Sequence, residues 1–171
     1  LWSDAVFRAK EMDFVHDGLK YVDHLRSNIK IIYNIAGNTL INQHSDINRT
    51  IRILKDESLC ELIVTSDLFM TASARWSDLI LPAASVLESN NVTMGWCNDD
   101  YLLSNSRAVE PLFGTMPDYD WVCMIADAMG YGEAFRACHK TTEDWILDLY
   151  NTFRQTKETE LPPYEQFREN G

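Results

Sequence analysis

Three apolar, β-branched runs, each closed by polar or turn-forming residues and separated by segments of helical periodicity, predict an α/β fold with a parallel sheet flanked by helices. The first run, residues 29–35, stops at Ala36-Gly37-Asn38. The second, residues 62–65, stops at Ser66-Asp67, and the third, Asp78-Leu79-Ile80-Leu81, is stopped by Pro82. Strand, helix, strand, helix, strand is the grammar of a doubly wound sheet, because parallel neighbours need a crossover and a helix supplies it.

Each connection has its own signal. Ser45-Asp46 offers an N-cap ahead of Ile47, Ile51 and Leu54, which lie on one helical face, and Asp56-Glu57-Ser58 closes that helix. Residues 70–75 supply the next short helix. Residues 88–106, with Asn90-Asn91, Gly95 and Asn98-Asp99-Asp100, read as the longest irregular stretch, either a loop that contacts another domain or a surface excursion. The C-terminal part reads as helical. Pro117, at a favourable first helical position with Thr115 as cap, opens a helix in which Val122, Ile125 and Met129 share a face before Gly130-Tyr131-Gly132 ends it. Thr141 and Asp144 form a capping box ahead of Trp145, Leu149 and Phe153, and Trp121 and Trp145 read as core anchors rather than stacking platforms.

Ligands of doubly wound sheets bind outside the carboxyl ends of the strands, so Asn38, Asn42, Ser66 and Asp67 are predicted to project into one crevice. An Asn supplies both an acceptor and a donor, which suits a sugar, phosphate or base edge; turn geometry alone would account for the same two asparagines. Neither G-x-G-x-x-G nor G-x-x-x-x-G-K-[ST] occurs, which argues against a standard NAD domain and a P-loop NTPase.

Composition narrows the classes further. With 171 residues, 46% of them hydrophobic, the chain is long enough for one sizeable core, and its longest apolar run falls short of the roughly 18 residues of a membrane span. A net charge of −11 argues against nucleic acid as a partner, since that affinity rests on clustered Lys and Arg. The same charge sits awkwardly with an anionic ligand, so local donors must outweigh the overall field or another part of the protein must supply cations. Cys60, Cys97, Cys123 and Cys138 lie 37, 26 and 15 positions apart, without zinc or iron–sulfur spacing, and read as buried free thiols. Cys138-His139 invites a nucleophile reading, but adjacent side chains seldom face each other. His44 lies near the presumed crevice, with a helix-entry histidine bonded to backbone as the other reading, and His16 and His24 carry no signal. No catalytic residue and no metal ligand is assigned.

The motif AGN-x-L-x-NQHSD-x-NRT and the following D-x-F-M-T-x-S-A-R-W-S-D-L-I-LP segment resemble the molybdopterin-guanine-dinucleotide oxidoreductases, the dimethyl sulfoxide reductase family. Similarity continues through Ala108-Val109-Glu110-Pro111, residues 121–130, Glu143-Asp144-Trp145 and Leu161-Pro162-Pro163-Tyr164-Glu165-Gln166-Phe167, nearly the whole chain. It is strongest toward catalytic subunits of the anaerobic, membrane-associated branch. The resemblance implies a single Rossmann-like domain, residues 1–171, excised from a larger catalytic subunit and gripping one guanosine arm of the bis-molybdopterin guanine dinucleotide cofactor with its molybdenum. It implies that the parent reduces dimethyl sulfoxide or other S- or N-oxides. The implied partners are the remaining domains of that subunit, an iron–sulfur electron-transfer subunit and a membrane anchor subunit, with twin-arginine export to the extracytoplasmic face. An isolated fragment is expected to be inactive and free of cofactor. By positional match, Asn38, Asn42, Ser66, Asp67 and Asp120 are the cofactor contacts, Asp120 reaching toward the guanosine or, on the alternative reading, stabilising a first helical turn. The chain departs from related patterns with Thr39 in place of Pro and Ser89 in place of Arg, which puts a phosphate clamp at Ser89 in doubt. A formate dehydrogenase-like or nitrate reductase-like enzyme, and a non-catalytic structural subunit that has lost the cofactor, are the alternatives.

Overall fold

A computed structural model describes residues 6, 27–43, 45–95, 101–156 and 161–170. The chain divides into two compact units, Leu1–Leu81 and Pro82–Gly171. The predicted fold class holds: a parallel sheet with flanking helices, followed by a helical C-terminal region.

In the first unit the strands β1 (Ile31–Ile35), β2 (Leu62–Asp67) and β3 (Leu79–Pro82) lie in the order β1-β2-β3. β1 and β2 run parallel, from Ile31 opposite Leu62 to Ile35 opposite Ser66. β2 is longer than the sequence suggested. Ser66 and Asp67 lie within the strand rather than past it, because the Ala36 N–H donates to the Ser66 carbonyl at 2.9 Å and carries the ladder one rung further. The crossover from β1 to β2 carries two helices, α1 (Thr39–Asn42) and α2 (Ile47–Leu54). Asp46 caps α2 as predicted, its Oδ1 accepting from the Arg49 N–H at 2.9 Å. The buried face of α2 is Thr50, Ile53 and Leu54, so the predicted stripe is rotated and Ile47 is exposed. The helix expected over residues 70–75 is reduced to one 3-10 turn, Ala74–Trp76. Thr71 Oγ1 accepts from the Ala74 N–H at 3.1 Å, and Ser73 is drawn into the interior by its bonds to Asn38, 35 residues away.

Val6, Leu40, Ile41, Ile53, Leu54, Cys60 and Ile63 form the core of this unit, with Ile29, Ile32, Ile51, Leu59 and Trp76 packed against it. β3 is fastened to β2 at its entry by Asp78, whose N–H donates to the Ile63 carbonyl at 2.8 Å while its carboxylate accepts from the Ile63 N–H at 2.7 Å.

The second unit holds an antiparallel pair, β4 (Asn91–Met94) and β5 (Leu102–Asn105), with Asn91 opposite Asn105 and Met94 opposite Leu102. The segment expected to be irregular is thus largely a strand pair. Asn91, read as a loop former, opens β4, and Asn98-Asp99-Asp100 lie outside the described residues, while Val92 and Leu102 pack onto Ile146, Tyr150, Tyr164 and Phe167. Those residues come from α5 (Thr142–Thr156) and α6 (Tyr164–Asn170); α3 (Asp118–Ala128) and α4 (Gly132–Phe135) precede them. Tyr150 stacks on Phe167 at 4.8 Å and donates its hydroxyl proton to the Pro162 carbonyl at 2.8 Å.

Helix ends and faces depart from expectation in three places. Pro117 is the N-cap of α3, and the Thr115 hydroxyl donates to Leu112 O at 2.8 Å instead of capping. α3 buries Cys123 and Ala126, leaving Ile125 and Met129 exposed. On α5 the capping box forms as predicted, with the Asp144 N–H on Thr141 Oγ1 at 3.2 Å and the Thr141 N–H on Asp144 Oδ2 at 2.9 Å. The buried residues of α5, however, are Ile146 and Tyr150. Trp145 is exposed and stacks on His139 at 3.8 Å, so it is a stacking platform and not a core anchor; Trp121 is half-buried and donates to Pro82 O at 3.1 Å. Among the described cysteines Cys60 and Cys123 are buried, whereas Cys138 is exposed. Among the described residues no helix is long and apolar enough to cross a membrane.

The side chain of Asn34, in the middle of β1, donates to Gly37 O at 2.6 Å and accepts from the Thr39 hydroxyl at 3.0 Å. Replacing it by Ala orphans buried groups, at a cost of about 1–3 kcal/mol. A corresponding fall in the urea midpoint at constant m-value is the expected result for Asn34→Ala, and an unchanged midpoint would contradict this role.

Candidate functional site

At the carboxyl ends of β1 and β2 the chain builds a small polar lattice. Ala36 adopts a positive φ of 49° where β1 turns out of the sheet, and the backbone enters α1 through Gly37 and Asn38. The Asn38 side-chain carbonyl accepts twice from Ser73, from its N–H and its hydroxyl, both at 2.9 Å. Ser73 Oγ in turn accepts from the Ile41 N–H at 3.1 Å. Beneath them Asn34 reaches Thr65 Oγ1 at 3.4 Å, and Thr65 shares a 2.6 Å hydrogen bond with Ser77.

This lattice locates four of the predicted residues. The Asn38 acceptor is committed to Ser73, which leaves its amide N–H groups for a ligand. Asn42 is exposed at the end of α1. Ser66 is fully buried. Asp67 is half-buried and accepts from the Phe69 N–H through Oδ1 at 3.2 Å, so one carboxylate oxygen stays open to another donor. Asn34, Thr65, Ser73 and Ser77 were not anticipated. The available signal was the polar Asn34 inside the apolar run Ile31–Ile35, since a buried polar residue is more informative than a buried apolar one.

Asp120 belongs to the second unit and lies in a cleft of about 350 Å³ lined by Glu88, Ser89, Asn90, Arg107, Thr141 and Glu143 among others. The first turn of α3 carries Asp118 and Asp120, where the positive end of the helix dipole favours a carboxylate. Glu88 is the structural centre of the cleft. Its two oxygens accept from the Ser85 N–H at 2.8 Å, the Leu112 N–H at 2.9 Å and the Thr115 hydroxyl at 3.3 Å. These donors, the Ser85 backbone foremost, push the Glu88 carboxyl down to about 2. They also hold the turn in which Phe113, at φ 54°, is 97% exposed and Gly114 takes φ 76°. Glu143 is likewise engaged: it accepts from the Asn90 side-chain amide and lies 3.9 Å from Arg168. No side-chain hydrogen bond occupies Asp120, alone among these three carboxylates of the described cleft. Glu88 was legible as the last residue of Ser85-Val-Leu-Glu, the spacing of a capping box, but its reach to Leu112 and Thr115 was not.

The profile of the molybdopterin oxidoreductase family matches residues 7–128. The chain belongs to that family. Dimethyl sulfoxide reductase DmsA of Haemophilus influenzae is 40% identical over 100% of this chain and 21% of its own length; the protein of the same name from Escherichia coli strain K12 is 39% identical over the same shares. Dimethyl sulfoxide/trimethylamine N-oxide reductase of Rhodobacter capsulatus is 29% identical over 94% of this chain and 19% of its own. The chain therefore spans about a fifth of the length of the curated relatives it matches. Among solved structures, acetylene hydratase from Pelobacter acetylenicus superposes with a TM-score of 0.59 at 21% identity, over 84% of this chain and 18% of that one, which supports the fold.

Among the described residues no group of three or more His, Cys, Asp or Glu side chains is arranged to hold a metal ion. The Cys138-His139 pair does not form a nucleophile dyad: His139 Nε2 lies 3.0 Å from Asp148 and its ring stacks on Trp145. His44, His16 and His24, and Cys97, lie outside the described residues.

The depressed Glu88 carboxyl predicts the acid behaviour of the second unit. Its folded value lies below the ordinary 4.5, so its contribution to stability is fully present above that pH and is lost as the pH falls toward about 2. Glu88→Gln should lower stability at neutral pH and flatten the stability profile between those two values. A carbon-detected NMR titration in which the Glu88 carboxyl titrates near its ordinary value would refute the assignment.

Proposed function

We propose that this domain holds one guanosine arm of the bis-molybdopterin guanine dinucleotide cofactor in the catalytic subunit of an anaerobic molybdenum oxidoreductase that reduces dimethyl sulfoxide or other S- or N-oxides. The observation that carries the reading is the open carboxylate of Asp120 in a cleft whose other carboxylates, Glu88 and Glu143, are already engaged. A carboxylate accepts two parallel hydrogen bonds from the guanine N1–H and exocyclic amine, whereas adenine presents an acceptor at N1. The cleft lies at the small end of ligand sites, about 300–1,000 Å³, which suits one end of a long cofactor. The donor set of the first unit fits the same kind of ligand. Taken by itself, that unit offers one open oxygen on Asp67, the amide donors of Asn38 and the exposed Asn42, with the buried Ser66 backing the strand end.

When bound, the molybdenum cofactor supplies the oxygen-removal chemistry; the residues of this chain bind and orient. The relatives named dimethyl sulfoxide reductases favour an S-oxide substrate over formate or nitrate. On this reading the domain works within one catalytic subunit that docks an iron–sulfur subunit and a membrane anchor subunit at the extracytoplasmic face, after twin-arginine export.

Two outcomes test the reading. In the enzyme that carries this domain, Asp120→Asn should lower retention of the guanine cofactor about ten- to a hundredfold, the loss of roughly 1.5–3 kcal/mol expected for a charged hydrogen-bond partner. Guanine nucleotide released by acid hydrolysis and molybdenum by elemental analysis both measure it, and unchanged retention would move the guanine elsewhere. The 171-residue chain alone should reduce no S-oxide with a reduced viologen donor; turnover by metal-free chain would overturn the division of labour.

A further inference from the structure

We propose that Arg107 is the phosphate-binding residue of the cleft that contains Asp120, so that a guanine nucleotide lies there with its base toward Asp120 and its phosphates toward Arg107. The proposal rests on the reading of Asp120 given above and adds the polarity of the bound nucleotide. Arg107 is the one cationic side chain lining the described cleft. Its backbone is pinned. The Arg107 N–H donates to Asn90 Oδ1 at 2.8 Å, and the Asn90 amide donates to Glu143 on α5, so the residue is tied to α5 through one intermediary.

The guanidinium, by contrast, is only loosely held. Its partner is Glu110, three residues on, at 3.0 Å, with side-chain exposures of 47% for Arg107 and 78% for Glu110. An exposed ion pair of this kind contributes little and is readily exchanged. A phosphate group is a better partner, because the planar fork of Arg bonds two of its oxygens at once.

The surrounding charges fix the direction. Glu88 is saturated by Ser85, Leu112 and Thr115, and Glu143 is engaged by Asn90 with Arg168 nearby. Asp120 therefore presents the uncompensated negative charge; it repels a phosphate and attracts the donor edge of a base. Ser89, on the same cleft wall, carries no charge, and its hydroxyl donates to Ser85 O at 3.2 Å. Arg107 is the residue that brings positive charge into the described cleft.

The test is an NMR titration of the 171-residue chain with guanosine, GDP and ADP, comparing the wild type with Arg107→Gln, Glu110→Gln and Glu57→Gln, the last an equal charge change on the other unit. GDP should bind more tightly than guanosine in the wild type. Arg107→Gln should remove roughly tenfold of GDP affinity and leave guanosine unchanged. Glu110→Gln, which frees the guanidinium, should raise GDP affinity severalfold, and Glu57→Gln should not. An unchanged GDP-to-guanosine ratio in Arg107→Gln, or no GDP binding at all, overturns the proposal. If ADP binds as well as GDP and both are weakened by Arg107→Gln, the phosphate site stands and the guanine reading of Asp120 fails.

Discussion

A polar atom taken out of water must find its partners inside the protein, and in both units of this chain one such atom ties together segments far apart in sequence. In the first unit it is the side-chain carbonyl of Asn38, which takes both donors of Ser73, 35 residues away. In the second it is the carboxylate of Glu88, which gathers Ser85, Leu112 and Thr115. Neither bond set belongs to a helix or a strand ladder. Each fixes a loop. Removing the acceptor would leave several partly buried donors unpaired at once, which is why the geometry of Asn38 and of the Phe113 turn is set by chemistry at a distance rather than by local propensity.

The same dependence explains how much could be read from the chain alone. The strands β1 and β3, and β2 as far as Thr65, were legible because continuous apolar runs closed by polar or turn-forming residues mark strands of a parallel sheet. The caps at Asp46 and at Thr141 with Asp144 were legible because they span three residues. What escaped was decided by tertiary contacts. Residues 70–75 have helical character, yet Ser73 is worth more as a buried partner of Asn38 than as one more helical residue. The strand pair Asn91–Met94 and Leu102–Asn105 was hidden by its asparagines, and only the packing of Val92 and Leu102 on Tyr150 and its neighbours makes strands of them. Trp145 looked like a core residue by periodicity but stacks on His139 at the surface.

For the candidate site the pattern is similar. Asp120 could be picked out by family likeness, and its place on the first turn of α3 could be read from Pro117. That Glu88 and Glu143 would be occupied, and Asp120 open, follows from hydrogen bonds spanning 24 to 53 residues. No local motif encodes that difference. Three carboxylates of one cleft are equivalent in composition and unequal in chemistry, and the inequality is what gives the cleft a donor-seeking end.

A net charge of −11 remains to be reconciled with an anionic ligand. At physiological ionic strength the Debye length is about 8 Å, so exposed acids farther off than this are largely screened from a phosphate in the cleft. The nearby ones decide, and two of the three lining carboxylates spend their charge on internal donors. The guanidinium of Arg107 then faces little local competition beyond Glu110, whose exposed pairing is weak. On the proposed reading, one cation and one open carboxylate give a ligand orientation more than they give it affinity, because only the surplus over the cost of ordering it appears as binding. On the same reading, further contacts would set how firmly the ligand is held.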